Sequence, residues 1–263
     1  MEYVSEESLQ NLWDVRRALG PAFGSEDLCM LLYALVRRER PNLILELGTG
    51  LGVCTLWIAR ALQENRLGHI YTVDDWRSSE GSLRYLEDIR QHFPGWLTHT
   101  TDDLGQFVRA LAQKCEVESR ITFETGSFDL VNGSLPTIVN GIGKLDVIFS
   151  DFNHRPETIF ALFRTMLPLM SEYCSIFIDS APTFERSFLI LGQLVEDLNR
   201  NKLPLPFCEN MSESEQDVLS KIIARRRFQL ISLVERRDRP QNSTAWVRIE
   251  PVDYRPFPKA KMR

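Results

Sequence analysis

Short apolar runs of strand length alternate with amphipathic segments along most of the chain. Residues 43–47, LILEL, place four aliphatic side chains around one glutamate, and residues 53–62 then carry apolar side chains at helical spacing. Apolar runs bounded by turn residues are typical of strands buried in a parallel sheet. The later predicted strands, some with the turn that follows, are 69–75, 121–127, 145–151, 175–180, 228–234 and 244–250.

Helical periodicity separates these runs. The first predicted helix, residues 5–20, places a cation, Arg16, near the same stripe as the apolar Leu12 and Trp13. Strands that alternate with helices predict an α/β fold with a doubly wound, mostly parallel sheet of seven strands. A polar turn, residues 238–243, joins the last two strands, which we therefore expect to form an antiparallel hairpin at the sheet edge. The other predicted helices are 26–40, 82–92, 103–114, 184–199 and 215–226.

The chain is long enough for one α/β domain with additions. Residues 1–40 are expected to form an N-terminal helical cap on a domain that spans residues 41–263. The stretches near 76–115 and 201–225 are longer than a strand-to-strand crossover needs, so we predict helical insertions there.

Composition narrows the class of partner. The net charge is −5 and the pI is about 5.5, which gives no electrostatic basis for binding nucleic acid. The five cysteines form no C-x-x-C pair and are expected to be reduced, as in a cytoplasmic protein. The N-terminus lacks a signal-peptide pattern, and no apolar run approaches the length of a membrane span.

A glycine-rich turn follows the first predicted strand, with Gly48, Gly50 and Gly52 at alternate positions. The dinucleotide-binding pattern G-x-G-x-x-G would place its third glycine at position 53, where this chain has valine. Glu46 lies two residues before the first glycine. A turn whose glycines serve only packing is the alternative interpretation. With the buried strand and the acid, the turn resembles the first motif of class I methyltransferases that depend on S-adenosylmethionine (SAM).

The second predicted strand ends in two acids, Asp74 and Asp75. In a doubly wound sheet the end of this strand lies beside the first glycine turn, so a carboxylate there can accept hydrogen bonds from both ribose hydroxyls of an adenosine. We choose Asp74 for this role, with Asp75 as the alternative because strand ends are uncertain by a residue or two. NAD-dependent enzymes use the same device, so this acid does not separate the two cofactors.

The resemblance covers residues 40–250 and is closest to the small-molecule O-methyltransferases related to catechol and caffeoyl-CoA methyltransferases. Five parallel strands with a terminal antiparallel pair are the arrangement of that family. The resemblance implies that SAM is the cofactor, that Glu46 contacts its methionine end and that the turn after the third strand contacts adenine. The residues that it assigns to the cofactor are Glu46, Gly48, Thr49, Gly50, Gly52, Asp74, Gly126, Ser127 and Phe128.

In metal-dependent members of that group, the fourth strand ends in an aspartate ligand with a basic residue three positions later, and the fifth strand ends in Asp-Asn. Carried onto this chain, Asp151 and Asp179 are metal ligands, and Asp151 and His154 are catalytic. Ser180 replaces the asparagine of the third ligand position, and its hydroxyl is a weaker ligand. The requirement for Mg²⁺ is therefore left open.

An ordinary histidine pKa near 6.5 suits His154 to the role of general base. The alternative is that His154 lies in solvent beside a helix start. The leading hypothesis is a SAM-dependent methyltransferase that acts on a hydroxyl of a small molecule, with natural-product biosynthesis as a candidate setting. N-methylation and a non-catalytic, methyltransferase-like partner subunit stay open, as does a homodimer. Val53 and the terminal hairpin argue against the remaining alternative, an NAD-linked oxidoreductase.

Overall fold

The computed structural model describes residues 6–19, 25–76, 104–139, 141–209, 211–234 and 243–253, with Glu87 and Gln91 as single helical residues between 77 and 103. The strands are β1 (Leu43–Leu47), β2 (His69–Asp74), β3 (Ile121–Thr125), β4 (Leu145–Ser150), β5 (Met170–Asp179), β6 (Arg226–Val234) and β7 (Ser243–Pro251). The α-helices are α1 (Glu6–Leu19), α2 (Glu26–Glu39), α3 (Val53–Asn65), α4 (Leu104–Lys114), α5 (Pro156–Met166), α6 (Glu185–Asn199), α7 (Leu205–Cys208) and α8 (Glu213–Ile223).

The seven strands form one sheet in the order β3-β2-β1-β4-β5-β7-β6. Strands β1 to β5 pair in parallel, and β7 runs antiparallel between β5 and β6. The predicted mostly parallel sheet with a C-terminal antiparallel hairpin is therefore confirmed. The strand order reverses between β1 and β4, so a crevice is expected beyond the carboxyl ends of these two strands.

The core lies on both faces of the sheet. Because successive side chains of a strand point to opposite faces, Ile44 belongs to the apolar cluster that contains residues of α1 to α4, whereas Leu45 and Leu47 belong to the cluster that contains residues of α5, α6 and α8. Glu46 shares the face of Ile44 and so points towards α3. Both faces are apolar, which explains why β1 is a nearly continuous hydrophobic run.

The predicted N-terminal helices are confirmed to within one residue. Helix α2 begins at the Ser25 cap, whose Oγ accepts a hydrogen bond from Leu28 N at 3.0 Å. The helix packs along α3, where the ring of Tyr33 meets that of Trp57 edge to face at 6.0 Å. The Tyr33 hydroxyl donates to Glu64 at the other end of α3. The two helices therefore run side by side along their lengths.

Two predicted boundaries are wrong. The fifth strand starts at Met170 rather than at residue 175, because Met170 pairs with Leu145 of β4. Ser171 is polar, and Glu172 and Tyr173 are exposed. The sequence pattern therefore does not mark the early part of β5 as a strand. Helix α8 ends at Ile223 rather than at residue 226, since β6 begins at Arg226. The predicted helix 82–92 lies outside the described residues apart from Glu87 and Gln91.

Candidate functional site at the carboxyl edge of the sheet

The glycine turn joins β1 to α3 in a conformation that needs glycine. Gly48, Gly50 and Gly52 all have positive φ, at 90°, 53° and 77°. A Cβ on Gly48 would lie only 2.3 Å from the backbone oxygen of Asp151. Gly52 stands at the start of α3 without a side-chain cap, and no acid follows in the first turn. The first N–H groups of a helix have no partner within the helix, so α3 offers donors to a polar or anionic ligand.

Asp74, the predicted ribose contact, supports this turn from the end of β2. Its Oδ2 accepts hydrogen bonds from the backbone N–H of Thr49 and of Gly50, both at 2.9 Å. Its Oδ1 accepts one from Trp76 N at 2.8 Å. An ionised carboxylate has about four acceptor positions, so capacity for a ribose hydroxyl remains. Asp75 is exposed.

Glu46 lies beneath the turn and is only 1% exposed. The hydroxyls of Thr55 and Thr72 both donate to its Oε2 at 2.5 Å, and Thr49 Oγ1 lies 2.5 Å from Thr72 Oγ1. Burial raises the pKa of Glu46 to about 7, while the two hydrogen bonds act to lower it. The carboxyl group is thus linked to the turn through threonines and changes charge near neutral pH.

The two threonines that hold Glu46 were missed by sequence reasoning. Thr55 and Thr72 are fully buried, and each lies between apolar residues in the sequence. That hydroxyl-bearing exception within an apolar stripe, near a strand glutamate, is the signal that could have identified them. A buried carboxyl group needs such partners, because burial without a hydrogen bond costs several kcal/mol, on the order of 2–7 for a polar group.

Two aromatic rings, those of Phe128 and Phe152, follow the ends of β3 and β4. The N–H of Gly126 donates to Asp74 O at 3.0 Å and so ties the end of β3 to that of β2. The ring of Phe128 meets that of Phe152 at 4.6 Å between centroids, and Ser127 between these elements is exposed. The predicted adenine contacts therefore lie at the same sheet edge as the glycine turn.

His154 lies in the loop between β4 and α5. Its ring stacks on that of Phe184 at 5.1 Å with an interplanar angle of 17°. Ser187 Oγ donates to the backbone oxygen of His154 and holds the loop against α6. Burial lowers the pKa of His154, and the nearby charge of Asp179 acts in the opposite direction. The imidazole is therefore neutral at pH 7.

The Nδ1 atom of His154 is buried and has no hydrogen-bond partner among the residues that the structure describes. The ring lines an open cavity of about 510 Å³. Phe184, which was not singled out from the sequence, is 42% exposed and forms part of this cavity with the exposed Arg155 and Arg186. An aromatic plane and a neutral imidazole thus face the same space.

The predicted metal ligands do not form a donor set for Mg²⁺. Asp179 is 4% exposed, and its carboxylate accepts hydrogen bonds from Thr244 Oγ1 at 3.0 Å and from Ser180 Oγ at 2.9 Å. Ser180 is fully buried, whereas Asp151 is exposed. Within the described part of the chain, no group of three metal-binding His, Cys, Asp or Glu residues occurs. These residues therefore do not fit the ion.

A family model described as a methyltransferase domain matches residues 45–181, just over half of the chain. The matched span runs from β1 to just beyond β5 and contains the glycine turn, Asp74 and the His154 loop. The highly reducing polyketide synthase ltbA of Aspergillus luteorubrus is 29% identical over 113 residues, or 43% of this chain. The chain spans only 3% of the length of that curated relative.

Similar solved structures include an O-methyltransferase from Bacillus cereus in complex with SAH, at 16% identity and a TM-score of 0.53 over 95% of this chain and 93% of that one. The O-methyltransferase TomG from Streptomyces achromogenes in complex with SAM matches at 16% identity and a TM-score of 0.50 over 95% and 92%. Cofactor-bound Rv0187 from MTB matches at 14% identity and a TM-score of 0.51, over 94% of this chain and 90% of that one. At these identities the similarity concerns the fold alone.

No helix in the described ranges is both long enough and apolar enough to cross a membrane.

Proposed function

This chain belongs to the methyltransferase family, and from that membership we propose that it transfers a methyl group from SAM to a hydroxyl of a small molecule, with His154 as the general base. The cofactor supplies a methyl group activated on a sulfonium. The protein must bring the hydroxyl into line with that methyl group and remove the hydroxyl proton. Fold neighbours named as O-methyltransferases support oxygen as the nucleophile.

Three features at the carboxyl edge of the sheet support the proposed cofactor. The uncapped start of α3 and the glycine turn supply N–H donors for the polar amino-acid end. Glu46, with a pKa raised to about 7, is readily ionised by a cationic amino group nearby. Phe128 and Phe152 offer flat surface to a purine ring. These contacts, with Asp74 at the ribose, are the binding roles that we propose.

The unpartnered Nδ1 of His154 is the observation that carries the choice of base. Because burial lowers the pKa of this residue, the neutral ring keeps a lone pair at pH 7 and can accept a proton. The stack on Phe184 fixes the ring plane, and the adjoining cavity of about 510 Å³ has the size of a small-molecule site. Asp151, at the start of the same loop, is proposed to orient the acceptor.

Two experiments test the proposal. Calorimetric titration with S-adenosylhomocysteine (SAH) measures cofactor binding, and transfer of a labelled methyl group from SAM to a panel of hydroxylated and amine-bearing small molecules measures turnover. Hydroxylated natural products are the first acceptors to include, since part of the chain resembles a segment of a polyketide synthase. We expect His154→Gln to lose at least about a hundredfold in turnover while binding SAH normally.

The matched control is His69→Gln. His69 begins β2 at the opposite end of the sheet, where its Nε2 lies 2.8 Å from Thr122 Oγ1, so this variant should retain activity. Absence of SAH binding in the wild type would refute the cofactor assignment and favour a non-catalytic partner subunit. Binding with methylation only of amines would refute the choice of nucleophile. Unchanged turnover in His154→Gln would remove His154 from the base role.

A further inference from the structure

The cavity beside His154 presents two cations. Arg155 and Arg186 both line it and are both exposed. Neither guanidinium forms an ion pair or a hydrogen bond with a residue in the described ranges. Glu185 is the one acid among the described residues that line the cavity. Two arginines and one glutamate give the lining a net positive charge, so the cavity suits a ligand with one negative charge.

A hydrogen bond joins the two segments that carry these arginines. Arg155 follows His154 and immediately precedes α5, whereas Arg186 lies in the first turn of α6. Ser187 Oγ donates to the backbone oxygen of His154, so the residues next to each arginine are in direct contact. The two side chains therefore originate near one another, at the cavity that both residues line.

Phe184 gives the same cavity a flat apolar surface. It immediately precedes α6, its ring stacks with the imidazole of His154, and 42% of the residue stays exposed. A second planar group can contact that exposed part, because aromatic rings pair favourably in stacked and edge-to-face arrangements. The cavity thus combines the proposed base, an aromatic surface and two cations.

These groups define one class of acceptor. We propose that the acceptor is a hydroxylated aromatic carboxylic acid, whose carboxylate is bound by Arg155 and Arg186 and whose ring lies against Phe184. A carboxylate is a planar monoanion that accepts parallel hydrogen bonds from a guanidinium, and its single charge balances that of the lining. The inference rests on the proposed function: the hydroxyl oxygen bonds to the methyl group as the sulfonium bond breaks, its proton passes to His154, and SAH leaves.

The test compares acids with their methyl esters, which keep the ring and the hydroxyls but lack the charge. The pairs are gallate with methyl gallate and salicylate with methyl salicylate. Each compound is titrated calorimetrically into protein saturated with SAH and is also assayed with labelled SAM.

We expect the wild type to bind each acid at least about tenfold more tightly than its ester, the effect of one charge-assisted hydrogen bond. Arg155→Gln and Arg186→Gln should each reduce this preference about threefold to tenfold, since solvent screens exposed charges. Added salt should also reduce the preference of the wild type. In turnover, the preference should be found in KM rather than in kcat.

The matched control is Arg200→Gln, at the far end of α6. Its side chain is exposed and pairs with Glu196, so this variant should keep the wild-type preference. Equal binding of acids and esters, or a preference that neither cavity variant reduces, overturns the inference. Failure of every acid to bind to protein that binds SAH also overturns it. A wild type that does not bind SAH contradicts the proposed function itself, whereas equal methylation of acids and esters contradicts the carboxylate site alone.

Discussion

Replacement of Glu46 by glutamine should make the protein more stable at alkaline pH. The ordinary pKa of 4.5 is raised to about 7 in the folded state because the carboxyl group is buried. Below pH 4.5 the group is protonated in both the folded and the unfolded chain, so its ionisation does not reduce the free energy of unfolding. Between these two values the unfolded chain ionises while the folded protein keeps its proton, so the free energy of unfolding falls as pH rises. Above about pH 7 both states are ionised and the loss is complete.

The magnitude follows from the two pKa values. Each pKa unit is worth about 1.4 kcal/mol, so the difference amounts to about 3 kcal/mol for this fully buried group. Glutamine is isosteric and keeps an oxygen that accepts from Thr55 and Thr72, but it does not ionise. We therefore expect Glu46→Gln to match the wild type near pH 4.5 and to exceed it by up to about 3 kcal/mol at pH 8.

Denaturant unfolding at intervals from pH 4.5 to pH 8.5 measures this difference. Other titrating groups affect both proteins equally, so the difference curve isolates Glu46. Glu172→Gln, at an exposed position on β5, is the control and should show a flat difference. A flat curve for Glu46→Gln, or one that declines with pH, would refute the reasoning.

Three further predictions concern Gly48, Asp179 and His154. Gly48→Ala should lower the free energy of unfolding by at least about 2 kcal/mol, because φ is 90° and the Cβ would lie 2.3 Å from a backbone oxygen. The control is Gly192→Ala, in α6, where the space around the Cβ position is open. This variant should raise the free energy of unfolding by about 0.5–1 kcal/mol, and denaturant unfolding measures both changes. Thr244→Val should lose about 1–3 kcal/mol by leaving Asp179 short of a donor, and an unchanged midpoint would argue against that bond. The acidic limb of the kcat/KM profile should lie below pH 6.5, since burial lowers the pKa of His154; a limb at higher pH would contradict a neutral, desolvated base.

The sheet and the glycine turn were predictable because their signals are local. The runs of β1 and β4 are apolar on both faces, and the period of 3.6 residues in α3 follows at once. The early part of β5 was not predictable, because it is a strand only through pairing with Leu145 and with β7. Its exposed Glu172 and Tyr173 carry no strand pattern.

Within the site, the sequence indicates the candidate functional residues better than the groups that hydrogen-bond with them. The sequence indicates Glu46, Asp74, His154 and Asp179, but the groups that hold them come from distant segments. Thr244, which holds Asp179, is 65 residues away, and its contact depends on the register of the terminal hairpin. Such hydrogen bonds are set by tertiary packing, which single-sequence periodicity does not report.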